Sequence, residues 1–388
     1  MSKNQLGVNT ICTHIGEIKD EQFKGAISPI YMSTSYEFHN VDIKRYPRYF
    51  NTPNQTHLSK KIAALEHTES AIIFGSGMAA ISTMLLAFLQ NGDHIVVQNT
   101  LYGGTSNFIR EELPKYGIDY TFTQGYAIED FESALKHNTK VIYIETPSNP
   151  LLTVTDISAV AQLAKSRGII SMIDNTFASP INQNPADFGI DIIMHSATKY
   201  LGGHSDILAG AVAATEEHID RIWNVAKNLG GSLSDMTVWM LERSMKTLAL
   251  RVNAQNENAQ NLSEFLFGLD EIENVFYPGL ETHPEHQLAK EQMRGFGGML
   301  SFELIPNIDA MEFQNKLKLI KSSMSLAGVE STMILPSETS HALLTPEQRD
   351  EVGIKDGLIR FSVGIEDFED LKQDIQQALK TVKTIVNA

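Results

Sequence analysis

The chain has 388 residues, 42% of them apolar and 20% charged, too many for one small module and few enough for two packed domains with a sizeable core. Lys and Arg number 31 against 47 Asp and Glu, a formal charge of −16, which disfavours a binder of nucleic-acid backbones or of anionic membrane surfaces. Cys12 is the one cysteine, which excludes an intramolecular disulfide framework and a cysteine-ligated zinc or iron–sulfur centre.

The opening, MSKNQLGVNTICTHIG, lacks the uninterrupted apolar core of a signal peptide. The greasiest run, residues 78–89, is interrupted by Ser82 and Thr83 and is too short to span a bilayer. A soluble cytoplasmic enzyme is the expectation. Residues 1–56 carry no sustained periodicity but many aromatic, Pro and Ser residues, as in SPIYMSTSYEF and RYPRYFNTPN. Such an arm cannot bury its rings alone, so it is expected to pack on another domain or another subunit.

From Ser70 the pattern changes. SAIIF, HIVVQ, KVIYIE, IISMID and DIIMH read as buried strands, and LAGAVAA as a further candidate. Between them MAAISTMLLAFLQ and DISAVAQLAKSRG read as helices, the second ending at Gly168, and TSNFIREELPKYG as a helix up to Pro114. Strands alternating with helices predict an α/β domain, a mostly parallel sheet covered on both faces, over residues 57–248. A charged stretch from about Asp235 to Leu266 predicts one long helix that bridges onward. In residues 249–388, GGMLSFELI and LIRFSVGI read as strands flanked by amphipathic helices such as DFEDLKQDIQQALKTVKTIV, the grammar of a smaller α+β domain.

Two constellations carry chemistry. In AIIF-GSG-MAAIST, Gly75, Gly77 and Ala80 fit a dinucleotide fingerprint at a strand-to-helix turn, but HIVVQN ends in Gln98 and Asn99, without the acidic residue wanted about 20 positions on. What survives is an anion-binding turn for a single phosphate, or a plain tight turn. In the second, Asp174 ends a buried strand, and Ser196, Thr198 and Lys199 follow the end of another. Ligands of open α/β sheets bind beyond the carboxyl ends of strands, so these groups are expected to converge. A lysine, an acidic partner for a ring nitrogen and a phosphate cradle are what pyridoxal phosphate chemistry needs.

HSATKYLGGHSDILAG closely resembles the cofactor-lysine segment of the cystathionine γ-synthase/γ-lyase/β-lyase family, the transsulfuration branch of fold-type I pyridoxal phosphate enzymes. The resemblance runs along nearly the whole chain, through Tyr46 to Arg48, SGMAAI, LYGGT, ETPSNP, IDNTFASP, YPGLETHPEHQLA, SLAGVES and LIRFSVGIED. It implies that Lys199 holds pyridoxal 5′-phosphate and later moves the substrate α-proton, that Asp174 keeps the ring nitrogen charged, and that Tyr102 stacks on the ring and assists proton transfer. Ser76, Gly77, Met78, Ser196 and Thr198 are implied to hold the phosphate, reached from a neighbouring subunit by Tyr46 and Arg48. Arg360 is implied to clamp the substrate α-carboxylate, with Asn149 and Ser325 in support and Asn149 also contacting the cofactor.

The activity so implied is that of a carbon–sulfur lyase acting on cystathionine or a similar sulfur amino acid, in a homotetramer whose active sites are shared between subunits. γ-Replacement, as in cystathionine γ-synthase or an O-acyl-homoserine sulfhydrylase, is the alternative. Gly104 stands where methionine γ-lyases of the family carry a reactive cysteine, which disfavours that third activity. Met324 stands where many members carry Glu, and the segment after Glu330 reads STMILPSETSH; both lie where the family tunes substrate choice. Outside the family, a nucleotide-binding oxidoreductase built on the Gly75 turn is the rival. His283 and His286 in HPEH have no third ligand cluster in the sequence, so no metal is expected.

Overall fold

Short apolar runs whose side chains are buried on both faces can be satisfied only in the middle of a layered sheet, and the chain uses them so. The computed structural model describes residues 6–339, Arg349 and residues 353–382. Among these, β1 (Ser70–Phe74), β2 (His94–Val97), β3 (Asp119–Phe122), β4 (Thr139–Glu145), β5 (Ile170–Asp174), β6 (Ile192–His195) and β7 (Gly210–Ala214) form one sheet, ordered β1-β7-β6-β5-β4-β2-β3. Strands β2 to β6 run parallel, and β7 lies antiparallel to both β6 and β1. The parallel strands therefore end together, and Val97, Glu145, Asp174 and His195 share one edge of the sheet.

Helices α1 (Val8–His14), α2 (Pro53–Leu65), α3 (Gly77–Phe88), α4 (Gly103–Asn107), α5 (Ile128–Ala134), α6 (Ile157–Arg167), α7 (Ser179–Asn182) and α8 (Glu216–Leu229) surround this sheet. One face is packed by α3 and α8 through Ile81, Met84, Leu85, Ile219 and Ile222. The other is packed by α5 and α6 through Phe131, Ile157, Val160 and Ala164. One expectation changes here, and one strand is new. The helix at residues 103–116 does not stop at Pro114: it loosens into a π turn at Phe108–Glu112 and tightens into a 3₁₀ turn at Leu113–Tyr116 that ends on left-handed Gly117. Pro114 lies in the first turn of that 3₁₀ segment, where its missing N–H costs nothing. Strand β3, with three half-buried residues and one exposed, was too short and too polar to read from its pattern.

The single long helix from Asp235 is two helices, α9 (Asp235–Met245) and α10 (Leu248–Phe267). No Gly or Pro breaks them. Tertiary contacts do: the buried Arg251 guanidinium donates to the carbonyls of Ser244 (3.0 Å) and Tyr200 (2.9 Å), drawing the chain ends toward the turn that carries Lys199. Beyond α10, β8 (Ile272–Phe276), α11 (His286–Gln292), β9 (Met299–Leu304), α12 (Ala310–Lys316), β10 (Lys321–Ser322), β11 (Thr332–Ile334), β12 (Leu358–Ser362) and α13 (Phe368–Thr381) build a second sheet, ordered β10-β11-β12-β9-β8, with its own core around Phe302, Phe313, Phe361 and Ile375.

The amino-terminal arm leaves much of its apolar surface in water, with Phe23 80% and Phe38 62% exposed. At the other end, the segment leading into residues 323–325 is fixed by one buried carboxylate. Asp374 on α13 accepts the N–H groups of Lys318 (2.8 Å), Leu319 (2.9 Å) and Ile320 (2.9 Å). Asp374→Ala strands three donors, and a loss of about 2–3 kcal/mol in urea denaturation is expected.

Candidate active site

Lys199 lies in the turn that follows β6. Its N–H bonds the Ser196 carbonyl at 3.0 Å, and its own carbonyl accepts the Gly203 N–H at 2.7 Å, so the backbone under the lysine is closed on both sides. The amine donates to Ser325 Oγ at 2.7 Å. Burial and the nearby Arg360 charge pull its pKa down to about 8, against the opposing pull of Asp174. An amine so poised gives up its proton far more readily than a free lysine, as a carbonyl-capturing lysine must.

Asp174 ends β5 in register with Glu145 on β4 and Met194 on β6. Its Oδ1 accepts the Thr176 N–H at 3.0 Å. Burial pushes its carboxyl upward, although the Thr176 hydrogen bonds and the charges of His195 and Lys199 pull it down. Beside it, Glu145 accepts the Tyr102 N–H at 2.8 Å, and burial followed by the Asp174 charge raises it to about 8. Two buried carboxyl groups on neighbouring strands lack enough positive charge between them. Below the pair, His195 Nε2 bonds buried Glu66, whose carboxylate also accepts from Asn175 at 2.9 Å.

The second anchor is the start of α3. Ser76 caps it by accepting the Ala79 N–H at 3.0 Å, which leaves the N–H groups of Gly77 and Met78 outside the helix's own ladder. A Cβ on Gly77 would stand 3.0 Å from Ser196 Cβ and Oγ, so the absence of a side chain lets the serine close against the helix end. The Thr198 hydroxyl, in contrast, is engaged by Ala209: it accepts that residue's N–H and donates to its carbonyl, both at 3.1 Å.

The third anchor comes from the other sheet. Arg360, in the middle of β12, donates to Asn149 Oδ1 at 3.1 Å and to the Ser325 carbonyl at 3.0 Å, and its Nε is buried with no acceptor. Burial lowers its pKa to about 10, with the Glu145 charge opposing. Ser325 holds the lysine and the arginine from a left-handed backbone, φ +75°, an uncommon conformation for a residue with a side chain. Tyr102 caps the start of α4 and is 48% exposed, and Gly104 forms a floor beneath its ring, since a Cβ there would stand 2.6 Å from Tyr102 Cε1.

The structure thus gathers Lys199, Asn149, Ser325 and Arg360 into one hydrogen-bonded chain and sets Ser76, Gly77, Ser196 and Thr198 around the same turn. Tyr46 and Arg48 take another place. Arg48 lies against the rings of Tyr46 and Tyr49, 5.6 Å and 5.3 Å from their centroids, and donates to the Lys227 carbonyl at the end of α8. Met324 is 72% exposed beside Ser325. His286 donates to the Pro278 carbonyl at 2.8 Å, and His283 accepts the Glu285 N–H, so both serve local chain geometry. Residues 340 and 341 of the segment after Glu330 lie outside the described residues. Sequence reasoning passed over Glu145, Thr176 and the Glu66–His195 pair. Glu145 carried the same signal as Asp174, an acid at the end of a buried strand, inside the quoted ETPSNP.

Residues 9–380 match the family described as Cys/Met metabolism PLP-dependent enzymes. The chain belongs to that family. It is 42% identical over 377 residues to a cystathionine γ-lyase of Bacillus subtilis, covering 96% of this chain and 99% of the relative. It is equally identical over 369 residues to a cystathionine β-lyase of Lactococcus lactis subsp. cremoris, covering 94% and 97%. The fold matches the crystal structure of a cystathionine γ-synthase from Xanthomonas oryzae pv. oryzae, in complex with aminoacrylate and cysteine, with a TM-score of 0.93 at 37% identity over 97% of this chain and 98% of that one.

The site fits pyridoxal phosphate. A positive ring nitrogen answers the uncompensated carboxyl groups at Asp174 and Glu145, the open N–H groups of Gly77 and Met78 suit a phosphate, and Lys199 is an amine of lowered pKa between them. In cofactor-free protein, labelling of Lys199 by an amine-reactive reagent should rise with pH through a midpoint of about 8. Arg360→Met removes the adjacent cation and should move that midpoint upward, read by peptide mass spectrometry.

Proposed function

We propose that the chain is a carbon–sulfur lyase that eliminates a thiol from cystathionine-type amino acids, leaving a ketoacid and ammonia. The observation that carries this reading is the convergence of Lys199, Asp174 and Arg360 on one cleft at the strand ends, in a chain whose relatives are named cystathionine γ- and β-lyases.

Bound pyridoxal phosphate supplies an electron sink adjoining the substrate Cα. The side chains do the rest. Arg360 binds the α-carboxylate through its planar fork, in place of the Ser325 carbonyl or Asn149, while its unpartnered Nε gains an acceptor. Lys199, kept near Cα by the Ser325 hydroxyl, takes the α-proton; its low pKa leaves a useful fraction of free amine at neutral pH. Asp174 holds positive charge at the ring nitrogen. Gly77, Met78, Ser196 and Thr198 hold the phosphate, and Tyr102 covers the ring and assists proton transfer. For a γ-leaving group a second proton must leave Cβ before the thiol departs.

γ-Replacement is the second reading, favoured by the γ-synthase among the structural relatives. L-Cystathionine separates the cases. Pyruvate with homocysteine marks β-elimination, 2-oxobutyrate with cysteine marks γ-elimination, and Lys199→Ala should abolish either. Absence of both ketoacids, with cystathionine formed from cysteine and an O-acyl-homoserine, would overturn the lyase reading.

The proposed organisation is an arm over residues 1–56, a cofactor domain over 57–248 and an α+β domain over 249–388, assembled as a cytoplasmic homotetramer. Among the described residues no helix is long and apolar enough to cross a membrane. Support for assembly comes from the arm: covering Phe23, Met32 and Phe38 contributes about 1.5–3 kcal/mol each. Tyr46 and Arg48 sit on that arm and reach a neighbour's phosphate in this reading. An Arg48→Ala chain and a Lys199→Ala chain then carry lesions in different sites. A randomly mixed preparation should regain up to about a quarter of wild-type activity, because half the dimers are mixed and each has one intact site of two. Verified mixed dimers with no gain over the parents would return Arg48 to its own subunit.

A further inference from the structure

Gly210, the first residue of β7, pairs with Phe74 at the end of β1. Its φ lies outside the left-handed region, so the strand does not need glycine for its conformation. It needs glycine for space. A Cβ at position 210 would stand 2.1 Å from the Ser76 carbonyl oxygen, 2.6 Å from its carbon and 3.0 Å from the Gly77 nitrogen. All three are backbone atoms, so no side-chain rotation relieves the overlap.

The Ser76 carbonyl also accepts the Ala80 N–H at 3.1 Å, in the first turn of α3. Moving it moves the turn whose Gly77 and Met78 N–H groups face the anion site. On the far side, the same turn closes on Ser196, because Gly77 lacks a side chain too. Ala209, one residue before Gly210, holds the Thr198 hydroxyl. The first residues of the antiparallel strand therefore set both walls of one cradle: Ala209 fixes the threonine, and Gly210 admits the helix end.

We infer that Gly210 is a positioning residue for phosphate recognition, acting by letting the Ser76–Gly77 peptide seat on β7 so that two helix-end N–H groups are aimed at the phosphate. The inference rests on the proposed reading of Gly77, Met78 and Ser196 as the phosphate cradle.

The test compares two ligands on full-length protein stripped of cofactor, wild type and Gly210→Ala. Pyridoxal 5′-phosphate and pyridoxal share the ring and the aldehyde and differ in the phosphate, so the ratio of their dissociation constants, followed by absorbance, reads the cradle. The wild type should prefer the phosphorylated ligand. In Gly210→Ala that preference should fall about tenfold or more, the loss of one or two charge-assisted hydrogen bonds, with pyridoxal affinity unchanged within about twofold. An unchanged preference overturns the role of Gly210. So does an equal loss for both ligands, which would mark a general disturbance of the site. A wild type without preference overturns the cradle reading itself, and the inference with it. If the variant is unfolded in plain buffer, the comparison is made in trimethylamine oxide, which favours the folded state. Failure to fold there assigns Gly210 to the fold as a whole and overturns the inference.

Discussion

A chain of hydrogen bonds crosses between the two sheets: the Lys199 amine on Ser325, the Ser325 carbonyl on Arg360, and Arg360 on Asn149. Its members come from four separate stretches of sequence, and the amine and guanidinium belong to different sheets. The cleft holds these two cations close, with Arg360 buried and Lys199 half-buried. Lost hydration lowers both pKa values, joined at Lys199 by the Arg360 charge, and the counterweights at the adjoining strand ends are Asp174 for the lysine and Glu145 for the arginine. Neither set is satisfied alone. Burial has pushed the acids up and the bases down, the condition of a site that binds a zwitterion and a charged ring rather than one that stabilises the fold.

The means of holding the cations are backbone devices remote from the chemistry. The Lys199 turn is closed by Gly203 and, one residue on, tied by the buried Arg251 to the Tyr200 carbonyl. Ser325 lies between fixed points. Asp374 clamps residues 318–320, and Ser362 accepts the Ala327 N–H at 2.7 Å. Between them the chain takes two left-handed residues, Ser325 and Ala327, whose strain persists because both flanks are overdetermined. Exposed Met324 rides on that short span, where its side chain touches neither clamp.

Much of this was legible in the sequence where one signal sufficed. Buried parallel strands read as unbroken apolar runs, and their ends located Asp174 and the turn of Lys199. The antiparallel turn of β7 was invisible because GAVAA looks the same in either direction. The break at Lys246–Thr247 was invisible because no Gly or Pro marks it and one threonine is a weak signal; a guanidinium one turn into the next helix bonds back across it. Glu145 was missed although its position matches that of Asp174, because a carboxylate turned toward an N–H and one turned toward a ligand read alike. Arg48 was legible as a residue of the arm but not by its present contacts, since the Lys227 carbonyl it meets is a backbone atom far along the chain.

The net charge of −16 bears on how such a chain recognises a phosphate. Over distances beyond the Debye length of about 8 Å, salt screens the surface carboxylates, so the acidic exterior sets solubility more than binding. Within the cleft, attraction has to come from groups that cannot be screened or titrated away. Backbone N–H groups at a helix end meet that need, because their dipoles are fixed and carry no proton to lose. They act only where the backbone itself can reach the ligand. Glycines and small hydroxyl residues stand at this helix end, and the missing side chains of Gly77 and Gly210 are what let Ser196 and β7 approach its backbone so closely.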